Sequence, residues 1–195
     1  MKKLLVTGFE PFGGEEVNPS LEVVERLPSV IGEYEITKLI VPVVFGDAAA
    51  VVLRASEGLC PDVILSVGQA GGRSAITPEL VGINLRHATI PDNKGNQPTD
   101  EPIVQLGSAA YFSTLPVRKM AEAISRLGTP SVVSYSAGAY VCNDLLYSLL
   151  AHYEGSTTRV GFIHIPYCDE QKKEPSMDIN TIVKGIITAI EVIDS

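Results

Sequence analysis

The feature that most constrains the fold is a regular alternation between apolar runs and segments with helical periodicity. The apolar runs include KLLVTGF (3–9), PDVILSVG (61–68) and RVGFIHIP (159–166). Between them the apolar residues recur at helical spacing, as in residues 142–153. Strands that are apolar on both faces and separated by helices are typical of a mainly parallel sheet covered on both sides. We therefore predict an α/β fold: a single domain over residues 1–195, a three-layer α/β/α sandwich with a mainly parallel (mixed), twisted sheet.

The other elements follow from the same two periodicities. Further strands are predicted at 34–45, 79–88 and 130–137, and helices at 19–27, 46–59, 117–128 and 179–193. Pro42 is expected to end its strand, and the helix over 46–59 is expected to open at Asp47 and close at Gly58. The polar loop 90–102 is long for a compact domain, so it either covers a site or makes a surface excursion.

Composition excludes several classes of protein. The chain has 195 residues, of which 45% are hydrophobic and 19% charged, so it is globular and not disordered. A net charge of −8 argues against a nucleic-acid surface, which needs clustered Lys and Arg. The three cysteines form no disulfide framework, which favours a reducing compartment. We therefore expect no nucleic-acid partner.

Neither terminal region is predicted to enter a membrane. The opening apolar run, Leu4 to Val6, is too short for the core of a signal peptide. The apolar C-terminal segment is interrupted by Lys184 and Glu191, and its isoleucines follow the i, i+3, i+4 rule. We predict a docked, core-facing helix there, no membrane partner and a cytoplasmic location.

A cysteine at the start of a predicted helix is the first candidate for chemistry. Cys142 follows the small residues of SAGA (136–139) and precedes a helical pattern. A helix N-terminus offers unpaired N–H groups and a positive potential, which stabilise a thiolate and can later hold an oxyanion. This stabilisation reaches at most about 2 kcal/mol. We therefore expect an imidazole to assist the thiol.

Topology supplies that imidazole and a carboxylate. Ligands of a parallel sheet meet the protein beyond the carboxyl ends of its strands, which is where Cys142, His164 and Glu79 are all predicted to emerge. His152 lies ten residues along the same helix, about 15 Å away, and His87 falls in a polar stretch. His164 alone is embedded in an apolar strand, where burial of a polar ring costs free energy unless the ring has a hydrogen-bond partner or a function.

Less reactive interpretations stay open at this point. His164 could be a structural histidine with a backbone partner, and a lone cysteine is usually an inert small hydrophobe, as expected for Cys60 and Cys168. His164 and Cys168 have a ligand-like spacing, but no second pair accompanies them, so no zinc site is predicted. Phosphate-loop, dinucleotide and nucleophile-elbow motifs are absent.

The order of several longer motifs resembles the pyrrolidone-carboxylate peptidases, also called pyroglutamyl peptidases, over essentially the whole chain. The matching stretches are VTGFEPFGG followed by NPS, VGQAGGRSAITPE, IPDNKGNQP, SAGAYVCN with LLY, and GFIHIPY. The resemblance implies a cysteine exopeptidase that hydrolyses the bond after an N-terminal pyroglutamyl residue through a thioester. It implies Cys142 as nucleophile, His164 as general base and acid, and Glu79 as the residue that orients the imidazole.

The resemblance also implies the rest of the site. A flat, uncharged lactam suits aromatic faces and a few polar groups. The expected substrate-binding residues are Phe9, Phe12, Asn18, Gln69, Tyr140 and Val141, although ordinary core packing remains the competing interpretation for the two phenylalanines. The expected partners are peptides with N-terminal pyroglutamate. No metal or organic cofactor is required, and self-association as a homodimer or homotetramer is expected.

Several positions depart from the family pattern. Leu80 and Thr89 replace arginines, Ser136 and Ala139 replace threonines, and Asp144 replaces histidine. Asp144 in the first helical turn suits the helix dipole but is expected to raise the pKa of the Cys142 thiol by like-charge repulsion. These changes keep two alternatives open: a cysteine amidohydrolase for another small lactam or amide, and a noncatalytic binding homologue.

Overall fold

The computed structural model describes residues 1–195 and contains ten strands and five α-helices. The strands are β1 (Lys2–Phe9), β2 (Val30–Ile31), β3 (Tyr34–Val41), β4 (Val63–Gln69), β5 (Thr77–Pro78), β6 (Val81–Ile83), β7 (Ala110–Phe112), β8 (Arg159–Ile165), β9 (Tyr167–Cys168) and β10 (Ser176–Met177). The helices are α1 (Pro19–Arg26), α2 (Asp47–Leu59), α3 (Val117–Arg126), α4 (Val141–His152) and α5 (Ile179–Glu191).

Six of the strands form one sheet in the order β2-β3-β1-β4-β8-β5. The four central strands are parallel, whereas β2 and β5 pair antiparallel at the two edges. The central strands are almost wholly buried along β1, β4 and β8, because helices cover both faces. The predicted mainly parallel, mixed sheet is therefore confirmed.

The helices complete the predicted three layers. Side chains of α1, α3 and α5 pack with one face of the sheet in an apolar cluster of 24 buried residues. Side chains of α2 and α4 pack with the opposite face in a second cluster of 16 buried residues. Each face of the sheet therefore has its own apolar core, and α4 lies on the same side as α2.

Two predicted strands differ in the structure. Within residues 79–88 only β6 is regular, and it pairs with β7 in a separate two-stranded sheet. Residues 130–137 make only isolated bridges, Ser131 with Ile76 and Ser134 with Glu79. The edge of β8 is already occupied by the short β5, so this segment finds few partners and leaves Val132 and Tyr135 exposed.

Element ends follow local chemistry with one exception. β3 ends at Val41, directly before Pro42 as predicted. α2 starts at Asp47 but runs past Gly58 to Leu59, and Cys60 takes the left-handed conformation at the cap with φ 51°. The prediction that Gly58 closes α2 was therefore wrong.

The C-terminal segment forms the docked helix that its periodicity predicts. Ile182, Ile186 and Ile190 of α5 are fully buried in the first core cluster. The five helices all lack the length and continuous hydrophobicity that a membrane-spanning helix needs.

Candidate active site

The first turn of α4 carries Cys142. The helix begins at Val141, with Tyr140 as the N-cap residue, so Cys142 is the second helical residue. Gly138 has φ 79°, a left-handed conformation that L side chains rarely adopt, and it turns the chain into the helix. The small residues before Cys142 therefore allow this turn. The first N–H groups of the helix have no intrahelical carbonyl, and the N–H of Cys142 itself faces its own thiol.

His164 and Glu79 form a direct hydrogen bond at the carboxyl end of β8. His164 Nδ1 and Glu79 Oε1 are 2.7 Å apart, and both side chains are almost completely buried. An ionised carboxylate can only accept hydrogen bonds, so Nδ1 carries the ring proton and donates a hydrogen bond to Glu79. The other ring nitrogen, Nε2, is then the unprotonated one and can accept a proton.

Glu79 reaches this position differently from the loop location predicted for it. Thr77 pairs with His164 and Pro78 with Ile163 across β5 and β8, and Glu79 N donates to the carbonyl of Phe162. Glu79 therefore continues the antiparallel edge strand beyond β5. Because side chains alternate along a strand, Glu79 lies on the same face as Phe162 and His164, diagonal to the imidazole.

Gly68 of β4 makes room for the sulfur and the imidazole. Gly68 is paired in register with His164 on the adjacent strand. A Cβ atom at Gly68 would lie 3.0 Å from Cys142 Sγ and 2.7 Å from the ring of Phe162. The Phe162 ring in turn packs against His164, with ring centroids 4.7 Å apart. The absence of a side chain at Gly68 thus allows α4 and β8 to present Cys142 and His164 to the same cavity.

An arginine that the sequence analysis did not single out completes the charged centre. Arg73 Nη1 donates to Glu79 Oε1 at 2.6 Å and to Thr77 Oγ1 at 2.6 Å. Its Nη2 donates to the carbonyl of Ser136 at 3.0 Å. The only sequence signal was a charged residue in the glycine-rich stretch GQAGGRS after β4, and such stretches usually form turns.

Burial dominates the ionisation of the cysteine and histidine. Burial raises the pKa of the Cys142 thiol, and the charge of Glu79 raises it further. Burial lowers the pKa of His164, against the opposing influence of its hydrogen bond to Glu79. Burial opposes ionisation of Glu79, but its hydrogen bond to His164 and the charge of a protonated ring hold its pKa below the ordinary value. Both shifts favour the neutral forms of the thiol and the imidazole, so the N-terminus of α4 works against the burial of Cys142.

Asp144 does not act on the thiol as the sequence analysis expected. Its side chain is fully buried and forms an ion pair with Arg86, with 2.5 Å between Asp144 Oδ1 and Arg86 Nε. Its other oxygen accepts from the N–H of Gly46 at 2.7 Å. Arg86 balances the charge of Asp144, and Glu79 is the negative group that raises the pKa of Cys142.

Cys142 and His164 open into a cavity of about 210 Å³. This is smaller than the roughly 300–1,000 Å³ typical of sites for drug-sized ligands, so the cavity suits one small ring. All six residues expected to bind substrate line it: Phe9, Phe12, Asn18, Gln69, Tyr140 and Val141. The sequence analysis missed the other lining residues, Val43, Ala70, Arg73, Ala137 and Gly138.

The polar residues of the cavity are held by further hydrogen bonds. Asn18 caps α1: its Oδ1 accepts from Ser20 and its Nδ2 donates to the carbonyl of Glu10. Gln69 Oε1 accepts from Gln171 Nε2 at 2.9 Å, which leaves the Nε2 donors of Gln69 for a ligand. Asn18 therefore shapes the cavity, whereas Gln69 can bind a carbonyl oxygen.

The polar loop 90–102 braces the aromatic wall of the cavity. Tyr140 packs against Phe12 and Phe45, and its hydroxyl donates to the carbonyl of Pro91 at 3.0 Å. Asn93 Nδ2 donates to Glu10 Oε1 and to the carbonyl of Pro11. Of the two interpretations of this loop, the structure favours a role at the site.

The remaining cysteines and histidines lie outside the cavity. Cys60 is exposed and Cys168 is buried, and neither forms a disulfide. His87 is exposed beside Asp100, and His152 is also exposed. No group of three or more His, Cys, Asp or Glu side chains is arranged to hold a metal ion.

Comparisons with known proteins agree with the geometry. Residues 2–195 match the family model described as pyroglutamyl peptidase. A pyrrolidone-carboxylate peptidase of Levilactobacillus brevis is 50% identical over 98% of this chain and 97% of its own length. The crystal structure of pyroglutamyl peptidase I from Bacillus amyloliquefaciens is similar with a TM-score of 0.96, 48% identity and coverage of 99% of this chain and 97% of its own. The pyrrolidone carboxyl peptidase from Thermococcus litoralis has a TM-score of 0.94 at 36% identity, covering 99% of this chain and 93% of its own.

Proposed function

Because the chain belongs to the pyroglutamyl peptidase family, we propose that it removes N-terminal pyroglutamate from peptides with Cys142, His164 and Glu79 as its catalytic triad. The observation that carries the assignment of residues is the shared cavity. This cavity of about 210 Å³ is lined by a cysteine at a helix N-terminus and by a histidine whose Nδ1 is hydrogen-bonded to a buried carboxylate.

The first half of the reaction is acyl transfer to sulfur. His164 Nε2 takes the proton of the Cys142 thiol as the sulfur attacks the pyroglutamyl carbonyl carbon. The N–H groups at the start of α4 hold the oxygen that becomes negative. When the C–N bond breaks, the imidazolium gives its proton to the leaving amine, and a thioester remains on Cys142. Glu79 stabilises the transient imidazolium and keeps Nε2 aimed at the cavity.

The second half releases pyroglutamate. Water attacks the thioester while His164 Nε2 takes one of its protons, and the C–S bond then breaks. The proton returns from His164 to the sulfur, so the enzyme regains its neutral thiol and imidazole. Every proton in this cycle is carried by Cys142, His164, water or substrate.

Specificity for the pyroglutamyl ring follows from the walls of the cavity. Phe9, Phe12 and Tyr140 offer apolar faces to a flat, uncharged ring. Gln69 Nε2 is the donor we assign to the lactam carbonyl, since its Oε1 is already fixed by Gln171. The charged ring nitrogen of an N-terminal proline would lose its hydration here without gaining a paired carboxylate.

Two further features of the chain belong to this proposal. A cytoplasmic location is supported by the three free cysteines, which suit a reducing compartment. Assembly as a homodimer or homotetramer is supported by large apolar side chains at the surface, of which Leu106, Met1, Phe112 and Tyr135 are the most exposed. Sedimentation of the purified chain at several concentrations tests the assembly, and a purely monomeric species would contradict it.

Release of a fluorophore from pyroglutamyl-aminocoumarin tests the activity and the nucleophile together. The reduced protein should turn over this substrate, lose activity with iodoacetamide and cleave the prolyl analogue much more slowly. Cys142→Ala should abolish turnover, whereas the matched variant Cys60→Ala should retain it, because Cys60 is exposed and remote from the cavity. Turnover by Cys142→Ala would show that another group is the nucleophile, and no turnover by the native chain would leave a noncatalytic binding protein.

A further inference from the structure

We propose that Arg73 is a positioning residue of this site, which holds the Glu79 carboxylate in the one orientation that orients His164 for proton transfer. The inference rests on the proposed function, since it concerns the same triad. Arg73 does not have to touch the reacting atoms for this role, because it acts through Glu79.

The contacts of the guanidinium define the orientation of Glu79. Arg73 Nη1 and His164 Nδ1 both bond to the same oxygen, Glu79 Oε1, at 2.6 and 2.7 Å. The other carboxylate oxygen, Oε2, is buried and has no hydrogen-bond partner. Both charge-bearing donors of this carboxylate, Arg73 and His164, therefore bond to Oε1. The uncharged hydroxyl of Ser134 is a third neighbour that favours the ionised form of Glu79.

Arg73 is itself held from three directions. Its Nη1 also bonds to Thr77 Oγ1, and its Nη2 bonds to the carbonyl of Ser136, just before the turn that leads to Cys142. A planar guanidinium can satisfy these acceptors together, whereas an ammonium group is a single point of charge. Arg73 thus ties the strand that bears Glu79 to the segment that leads to the proposed nucleophile.

The charge of Arg73 also acts on the proton-transfer pair. The ionisable groups that face His164 are Glu79, Arg73 and, across the cavity, Cys142. The adjacent strands contribute Gly68 and Thr77, which are uncharged. A nearby cation disfavours imidazolium and favours thiolate, so Arg73 lowers the pKa of His164 and that of Cys142.

Steady-state kinetics against pH, with the pyroglutamyl substrate, test the role. Arg73→Met should lower kcat by about 10- to 100-fold with little change in KM, because a displaced general base slows chemistry. The acid limb of kcat/KM should move upward by about one pH unit, because the cation no longer opposes protonation of His164. Arg73→Lys should keep the acid limb near its native position, because the positive charge remains. It should still lower kcat, because an ammonium group lacks the planar set of donors of the guanidinium.

Arg126→Met is the matched control, because this exposed arginine pairs only with Glu122 at the surface. It should leave kcat and the acid limb unchanged. A native kcat in Arg73→Met, with the acid limb of kcat/KM at its native pH, would overturn the inference. A loss of activity that is the same at every pH, so that the acid limb does not move, would also overturn it. If Arg73→Met does not fold, a native kcat in Arg73→Lys would overturn the inference, whereas the loss of kcat given above would support it.

Titration of His164 by NMR separates this inference from the proposed function. The pKa of His164 should be about one unit higher in Arg73→Met than in the native chain. This measurement needs no substrate. If the native chain does not cleave pyroglutamyl amides, the proposed function fails, yet the titration still decides whether Arg73 controls His164.

Discussion

Asp144 and Arg86 form an ion pair two residues along α4 from the proposed nucleophile, with 2.5 Å between Asp144 Oδ1 and Arg86 Nε. The carboxylate is completely buried, whereas the guanidinium is about one quarter exposed. Asp144 also accepts from Gly46 at the start of α2. The pair therefore ties the first turn of α4 to α2 and to the segment that bears Arg86.

Removing one partner of this pair should be costly. Arg86→Met leaves the Asp144 carboxylate buried and unpaired, so we expect the free energy of unfolding to fall by about 3 kcal/mol. The double variant Arg86→Met/Asp144→Asn should recover part of that loss, because the amide still accepts from Gly46 but carries no charge. Urea unfolding measures both, and equal stability of the two variants would contradict the argument.

Gly68 should be required for activity although it has no side chain. In Gly68→Ala the new Cβ atom would lie 2.7 Å from Phe162 and 3.0 Å from Cys142 Sγ, so one of them must move. We expect kcat to fall at least about 100-fold, because a displacement of about 1 Å can cost that much. The control is Gly58→Ala in α2, where nothing lies within 4 Å of the new atom. Near-native kcat in Gly68→Ala would show that the site tolerates the shift.

The pH dependence should reflect a neutral cysteine and histidine pair. Burial lowers the pKa of His164 and raises that of Cys142, so the pair stays neutral over a wide range. The acid limb of kcat/KM should therefore lie below the ordinary histidine pKa of about 6.5, and activity should persist into alkaline solution. These limbs belong to the coupled pair. An acid limb above pH 7 would contradict the neutral pair.

The loop 90–102 should contribute to substrate binding more than to chemistry. Asn93→Ala removes the donors to Glu10 and Pro11, which loosens the segment that carries Phe12. We expect KM to rise several-fold with little change in kcat, because the proposed triad is untouched. Lys94→Ala is the control in the same loop, since its exposed ion pair with Asp47 contributes little. A loss confined to kcat would argue against this role.

The local patterns that predicted the elements were reliable where one segment decides its own structure. The helical spacing of α4 and α5 and the apolar runs of β1, β4 and β8 all appear as predicted. The strand predicted at 79–88 is shortened to β6, and the one predicted at 130–137 makes only isolated bridges, because strand pairing depends on which edges are free. β5 occupies the edge of β8, and β6 pairs with β7 away from the main sheet.

Cys142, His164 and Glu79 could be selected from the sequence because residue type, position at an element end and resemblance to a family all pointed to them. Gly68 and Arg73 could not be selected from the sequence in this way. Glycine in a strand and arginine in a turn have many ordinary reasons to be present, and the roles proposed for Gly68 and Arg73 depend on atoms far away in the chain. The distance from Gly68 to Cys142 Sγ and the contact of Arg73 with Glu79 exist only after β4, β5, β8 and α4 have assembled.

By itself the sequence determined the alternation of strands and helices, the small-residue turn before Cys142 and the amphipathic face of α5, because each depends on neighbours within a few turns. Only the tertiary structure decided that Glu79 bonds to His164 from an antiparallel edge strand, that Arg73 shares the same carboxylate oxygen and that Arg86 balances Asp144. Charges and hydrogen bonds in a buried site act over a few ångströms through space. Which groups interact is therefore decided by how the elements pack and not by the spacing of residues along the chain.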